Sequence, residues 1–259
     1  MTCGSRTTCG TLIPPLAGWA ISLCGAAGCD RADAPATPTA SPARVVTTGP
    51  AGTGVVRGRV SFNGAPPEGE DVEASRCHAG AGTIHVAPVT VGPGGALKDV
   101  MVFVKDPPAA PAGGSDPPAV LDQVSCQYVP RVLGVRVGQV LRVTSSDPAV
   151  HNVHTLSERN PRLNFGMTGA GQSREVTFGR PEQFSVRCDV HPWMSATVYV
   201  LDHPFFAATG DDGRFEITGL PPGEHEVVFS HPFLGERARK VVVADGAASV
   251  DVTFERGEK

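Results

Sequence analysis

Glycine and proline interrupt this chain so often that no long helix can run through it. There are 31 glycines and 24 prolines among 259 residues. Each glycine loosens the backbone, and each proline removes a helical hydrogen bond. No apolar stripe at i, i+3, i+4 spacing survives this punctuation. What recurs instead is short runs rich in Val, Phe and Thr, closed by Gly, Pro, Asn or Asp. Examples are VVRGRVSFNG (55–64), DVMVFVKD (99–106), VRVGQVLRVTSS (135–146), EQFSVRCDV (182–190) and ATVYVLD (196–202). Runs of that length and composition specify strands, so the chain is predicted to be all-β.

Charge narrows the partners. A net charge of −4 with no basic block argues against nucleic acid. The cysteines divide by position, with Cys3, Cys9, Cys24 and Cys29 at the start and only Cys77, Cys126 and Cys188 beyond. Residues 1–29 carry Arg6, then an apolar run, TLIPPLAGWAISLCGAAG (11–28), ending in small residues, which is the anatomy of an export signal. Pro14-Pro15 and modest hydropathy argue against a spanning helix. AAGC (26–29) resembles a bacterial lipoprotein cleavage box, with Ala26 where a larger aliphatic residue is usual. That resemblance implies a lipid on Cys29, a membrane tether, and a periplasmic or outward-facing location. Residues 30–53, rich in Ala, Pro and Thr, read as a disordered linker.

The densest chemistry lies in CDVHPWM (188–194), with Cys188, His191 and Met194 at three-residue steps. In the run before it, Phe184, Val186, Cys188 and Val190 alternate with polar residues, which puts Cys188 on the inward face of a strand. Pro192 then turns the chain into a loop that can fold His191 and Met194 back toward the sulfur. Thiolate, imidazole and thioether form a soft donor set that suits copper; thioether is a poor zinc ligand, and magnesium and calcium prefer oxygen. One more imidazole would complete it. His151 and His154 are three residues apart, so on a strand they face opposite sides and only one can join. In an oxidising compartment a metal on Cys188 would protect that thiol. Cys77 and Cys126 would then be left to form a disulfide, although three cysteines allow any pair.

Cys-x-x-His-x-x-Met resembles the short ligand loop of cupredoxins of the amicyanin and plastocyanin kind, whose other half is a His-Asn pair about 40 residues upstream. CQYVPRVLGVRVGQVLRVTSSD (126–147) is similar to the opening strands of that family, with Ser145 or Ser146 where Asn is frequent. The resemblance covers residues 119–202 and implies a Greek-key β-sandwich holding one copper ion. It makes His151, Cys188 and His191 the in-plane ligands and Met194 the long axial contact. His154 is then a bystander. Asn152 would stiffen the site through hydrogen bonds, one reaching the sulfur. The outer edge of His191, ringed by Pro192 and Trp193, would be the electron exit; the other reading of Trp193 is packing beneath the loop.

DGRF (212–215) followed by LPPG (220–223) resembles the smaller transthyretin-like, carboxypeptidase-regulatory β-sandwich. The resemblance implies a split sandwich, 54–106 with 203–256, and a cupredoxin domain inserted after its second strand. The other reading is one larger domain beginning at residue 54. His203 and His231 read as surface or satisfied histidines, Tyr128 as core, and Asp211-Asp212-Gly213 as a hairpin turn without spaced calcium ligands. Pro192 stands where a binuclear copper loop needs a second cysteine, and GAGQS (169–173) lacks the Lys of a phosphate loop. The expectation is an exported electron-transfer protein rather than an enzyme, serving a redox partner such as a cytochrome or dehydrogenase. Its rivals are a copper carrier or storage module without redox turnover, and a metal-free structural or adhesion sandwich.

Overall fold

The computed structural model describes residues 53–74, 77, 82–108, 115–244 and 246–257. The export segment, Cys29 and all but the last residue of the linker lie outside them. The described residues form strands and turns, with a 3-10 turn at Pro93–Gly95 and no α-helix among them, so the molecule is all-β.

Two apolar cores organise the strands. In the first, β1 (Gly54–Asn63) pairs antiparallel with β17 (Arg214–Leu220) and parallel with β20 (Ala247–Ser249) and β21 (Val252–Glu255). It also meets β5 (Ala96–Leu97), which pairs with β4 (Val91–Gly92). A second sheet runs in the order β16 (Phe206–Ala208), β6 (Met101–Lys105), β18 (Gly223–His231), β19 (Gly235–Val243). Val56, Val102, Phe215, Phe229 and Phe254 from the two sheets share one core. Strands from both ends of the described chain therefore build this sandwich.

Residues 119–201 supply the other. One sheet runs β13 (Gln172–Thr177), β10 (Val140–Ser145), β7 (Ala119–Val124), β8 (Gln127–Val129). The other runs β12 (Asn164–Met167), β11 (His151–Thr155), β14 (Glu182–Arg187), β15 (Ser195–Leu201), β9 (Val132–Arg136). Period-two alternation turns Leu141 and Val143 of β10 and Phe184 and Val186 of β14 into a common core with Leu121, Tyr128 and Val198. The hairpin of β2 (Glu70–Glu73) and β3 (Thr83–Val86) departs from the predicted boundary. It lies within 54–106 in sequence, but Ile84 and the adjoining Ala74 pack into this second core.

Met101, Val132, Tyr199 and Phe206 form a small cluster joining the two sandwiches. At Gly134 a Cβ would stand 2.4 Å from the Phe206 ring, so only glycine lets this strand approach so closely. His203 and His231 lie in the same region and are buried rather than at the surface. The Nδ1 of His203 accepts the Phe205 N–H, and that of His231 accepts the N–H groups of Phe233 and Leu234.

Candidate metal centre

Two strand ends carry the donors. In β11, His151, Val153 and Thr155 are buried while Asn152 and His154 are half-buried. His151 therefore faces the core, and His154 faces outward with its Nδ1 3.0 Å from Asp189 Oδ1. In β14 the inward face comprises Phe184 and Val186, and Cys188, next in the alternation, is 2% exposed. The predicted continuation to Val190 does not occur: the strand ends at Arg187, the chain turns, and Val190 is 53% exposed. The Met194 N–H then donates to His191 O at 2.9 Å, and the Cys188 N–H to Met194 O at 3.2 Å. These two bonds close a compact loop that keeps His191 and Met194 buried beside Cys188.

His151 Nδ1 and His191 Nδ1 lie 3.0 Å apart, and Cys188 Sγ lies 3.7 Å from His191 Nδ1. The donor atoms of all three residues fall within 4.8 Å of one another. Nitrogen and sulfur donors sharing one ion, at roughly 2.0 and 2.3 Å, are themselves about 3–4 Å apart. Those spacings fit a shared ion, and the thiolate–imidazole set fits copper. Met194, fully buried on the same loop, places a thioether among them in sequence and in burial.

The electrostatics favour a thiolate. Burial pushes the Cys188 thiol up, but a hydrogen bond from His151 and the backbone N–H groups of Asn152, His191 and Val190 overcome it and hold the thiol below its ordinary range. Burial lowers the basicity of His151, and Cys188 and Asp147 outweigh it so that the net shift is upward. His191 is shifted downward by burial and by the nearby His151. The surroundings thus favour the neutral form of His191, with a lone pair to donate, and bias Cys188 toward its anion.

Asn152 works through both its backbone and its side chain. Its N–H reaches the Cys188 sulfur. Its amide donates to Asn164 Oδ1 and Asp189 Oδ2, each at 2.8 Å, and its Oδ1 accepts the Asp189 N–H. Tyr128 is core, as predicted, and its hydroxyl donates to the carbonyls of Asn152 and Arg187, tying β11 to β14 at the residues that adjoin His151 and Cys188. Trp193 packs against the second core and donates from Nε1 to Cys126 O at 3.0 Å, which matches the reading that puts it beneath the loop. His191 differs from expectation: at 3% exposure it presents no open edge to solvent.

One functional residue escaped the sequence reading. Asp147 is buried, with Oδ2 3.0 Å from His151 Nε2 and 2.8 Å from the Cys126 N–H, and Oδ1 2.7 Å from the Ser125 N–H. By taking the Nε2 side of the ring it leaves Nδ1 facing Cys188 and His191. The signal was a carboxylate four residues before a histidine, at an Asp-Pro turn, a pattern without a motif. Cys77 and Cys126, whose pairing the sequence left open, form a disulfide with a Cα–Cα distance of 6.3 Å.

No protein-family model matches the chain, and no curated protein matches it either. Several solved structures do. A copper-containing nitrite reductase from Thermus scotoductus is 20% identical, over 38% of this chain and 25% of that one, with a TM-score of 0.31. A purple cupredoxin from Nitrosopumilus maritimus is 22% identical, over 32% of this chain and 98% of that one, with a TM-score of 0.27. An amicyanin variant in its Cu(I) form is 20% identical, over 38% of this chain and 97% of that one, with a TM-score of 0.29. The chain thus spans about a quarter of the nitrite reductase it matches.

Proposed function

We propose that the chain is a mononuclear copper protein that carries single electrons, with residues 119–202 as its cupredoxin-type domain. His151 Nδ1, Cys188 Sγ and His191 Nδ1 are the in-plane ligands and Met194 the weak fourth contact. The observation that carries this reading is the convergence of three buried donors from two strand ends within 4.8 Å. Copper bound there would alternate between its Cu(I) and Cu(II) states. The chain's residues hold the donors nearly rigid between those states: Asp147 orients His151, Asn152 steadies the sulfur, and the loop bonds fix His191 and Met194. Val150 and Val190, each 53% exposed, precede His151 and His191 and give the rim an apolar contact for brief docking of a redox partner.

In the same reading residues 54–106 and 203–256 form the regulatory-like sandwich, and residues 1–29 export the chain and tether it through a lipid on Cys29. The test of the centre is reconstitution with Cu(II). The intact protein takes up one copper per chain and develops an intense visible thiolate-to-copper band, and Cys188→Ala loses it. A copper-loaded protein without colour overturns the reading. Storage without redox turnover is the second reading, favoured by the burial of all three ligands. Reversible one-electron voltammetry excludes it.

A further inference from the structure

His151 has two working faces, and only one looks toward Cys188. On the other, its Nε2 lies 3.0 Å from Asp147 Oδ2 and 3.8 Å from Cys77 Sγ. The donor atoms of Cys77, Cys126, Asp147 and His151 all lie within 4.8 Å of one another. Cys126, Asp147 and His151 are buried, and Cys77 is half-buried. Two sulfurs, one imidazole nitrogen and one carboxylate oxygen make up a four-coordinate donor set of borderline softness, the kind that holds zinc. The 6.3 Å Cα–Cα distance that permits a disulfide also permits two thiolates to share one ion. The two residues arrive from different places, Cys77 beside the β2–β3 hairpin and Cys126 at the tip of the β7–β8 hairpin.

We infer that this cluster is a second metal site, opened by reduction of the Cys77–Cys126 disulfide, for a zinc-type ion held by Cys77, Cys126, Asp147 and His151 Nε2. The step balances. A dithiol reductant breaks the S–S bond by exchange and leaves as its own disulfide, delivering two electrons and two protons to the cysteines. The ion then displaces both thiol protons to solvent. The proton on His151 Nε2 moves to Nδ1 and stays there, and that N–H donates a hydrogen bond to His191 Nδ1 at 3.0 Å. Filling this site therefore takes the Nδ1 lone pair away from the Cys188 centre, so the two sites compete for one imidazole.

The test uses the full chain carrying Cys188→Ser, so its outcome is independent of the copper reading. The disulfide is reduced with a phosphine, which departs as its oxide, and the excess is removed without air. Co(II) is then titrated as the probe. The expected result is one equivalent bound, with a thiolate-to-cobalt charge-transfer band and the visible bands of a tetrahedral ion, both discharged by zinc. The unreduced protein, and reduced protein also carrying Cys126→Ser, should lack the tetrahedral spectrum. A folded, reduced protein with no thiolate–cobalt band overturns the proposal. Circular dichroism covers the remaining case. If reduction alone unfolds the chain, one equivalent of zinc restores the strand signal, and failure to restore it overturns the proposal as well.

Discussion

Met194 packs in the second core and, under the proposed function, is also the weak fourth ligand, and two substitutions at it separate those roles. It is fully buried in the second core, so Met194→Ala opens a cavity and should cost about 2–5 kcal/mol of unfolding free energy. Met194→Leu nearly conserves volume and should cost less than about 1.5 kcal/mol. Leucine nonetheless offers the metal no lone pair. Losing a weak donor disfavours the more highly charged ion, so the reduction potential of the leucine variant should rise. Denaturation and voltammetry on the same sample separate the effects; an unchanged potential would show that the thioether only packs. Asn152 is the second such residue. Asn152→Ala keeps the backbone N–H to sulfur but loses the side-chain bonds to Asn164 and Asp189. The expected cost is about 1–2 kcal/mol by urea titration, with the visible band retained.

At the scale of elements, the turn between β7 and β8 holds the two halves of the site in register. Ser125 and Cys126 both adopt left-handed backbone, φ 51° and 56°, in a two-residue hairpin where glycine or asparagine is usual. The Asp147 carboxylate accepts both of their N–H groups, Trp193 binds the Cys126 carbonyl, and the disulfide fixes the sulfur. Asp147→Ala removes the shared acceptor from one buried and one part-buried donor, and with them the partner of His151 Nε2, and should cost about 2–3 kcal/mol even with the disulfide intact. A loss below about 1 kcal/mol by urea titration would mean that the disulfide alone holds the turn. This tie explains what was legible beforehand and what was not. Period two separated His151 from His154 and turned Cys188 inward, because one buried face dictates strand register. Glycine and proline density ruled out helices for reasons local to each residue. Asp147, the Ser125-Cys126 turn and the packing of the β2–β3 hairpin onto the second core depend on contacts across 20 to 50 residues, which no local pattern encodes.

For the whole molecule, the junction between the sandwiches sets the response to acid. His203 and His231 are buried there, and desolvation brings each imidazole down from 6.5 to about 4. Charge acts differently at the two: at His203 Asp202 favours protonation and Arg136 opposes it with the smaller effect, so burial alone drives that shift, whereas at His231 Arg131 adds to the effect of burial. Arg136 is itself buried and paired with Asp116 at 2.9 Å, so the junction already holds a buried ion pair. In the unfolded chain both histidines take up a proton near pH 6.5; in the folded chain they resist until about pH 4. Between those values the unfolded state binds more protons, so stability falls as pH falls. Each histidine should contribute a loss of about 3 kcal/mol across that window, none of it felt above about pH 7. Replacing both by asparagine, which retains an acceptor for the backbone N–H groups, removes the titrating groups whatever it does to stability at neutral pH. Urea titrations at half-unit steps from pH 7.5 to 4 should therefore show a steep decline below about pH 6.5 in the parent and a much flatter one in the double variant. Parallel declines in the two proteins would move the acid sensitivity away from the junction and onto carboxylates elsewhere.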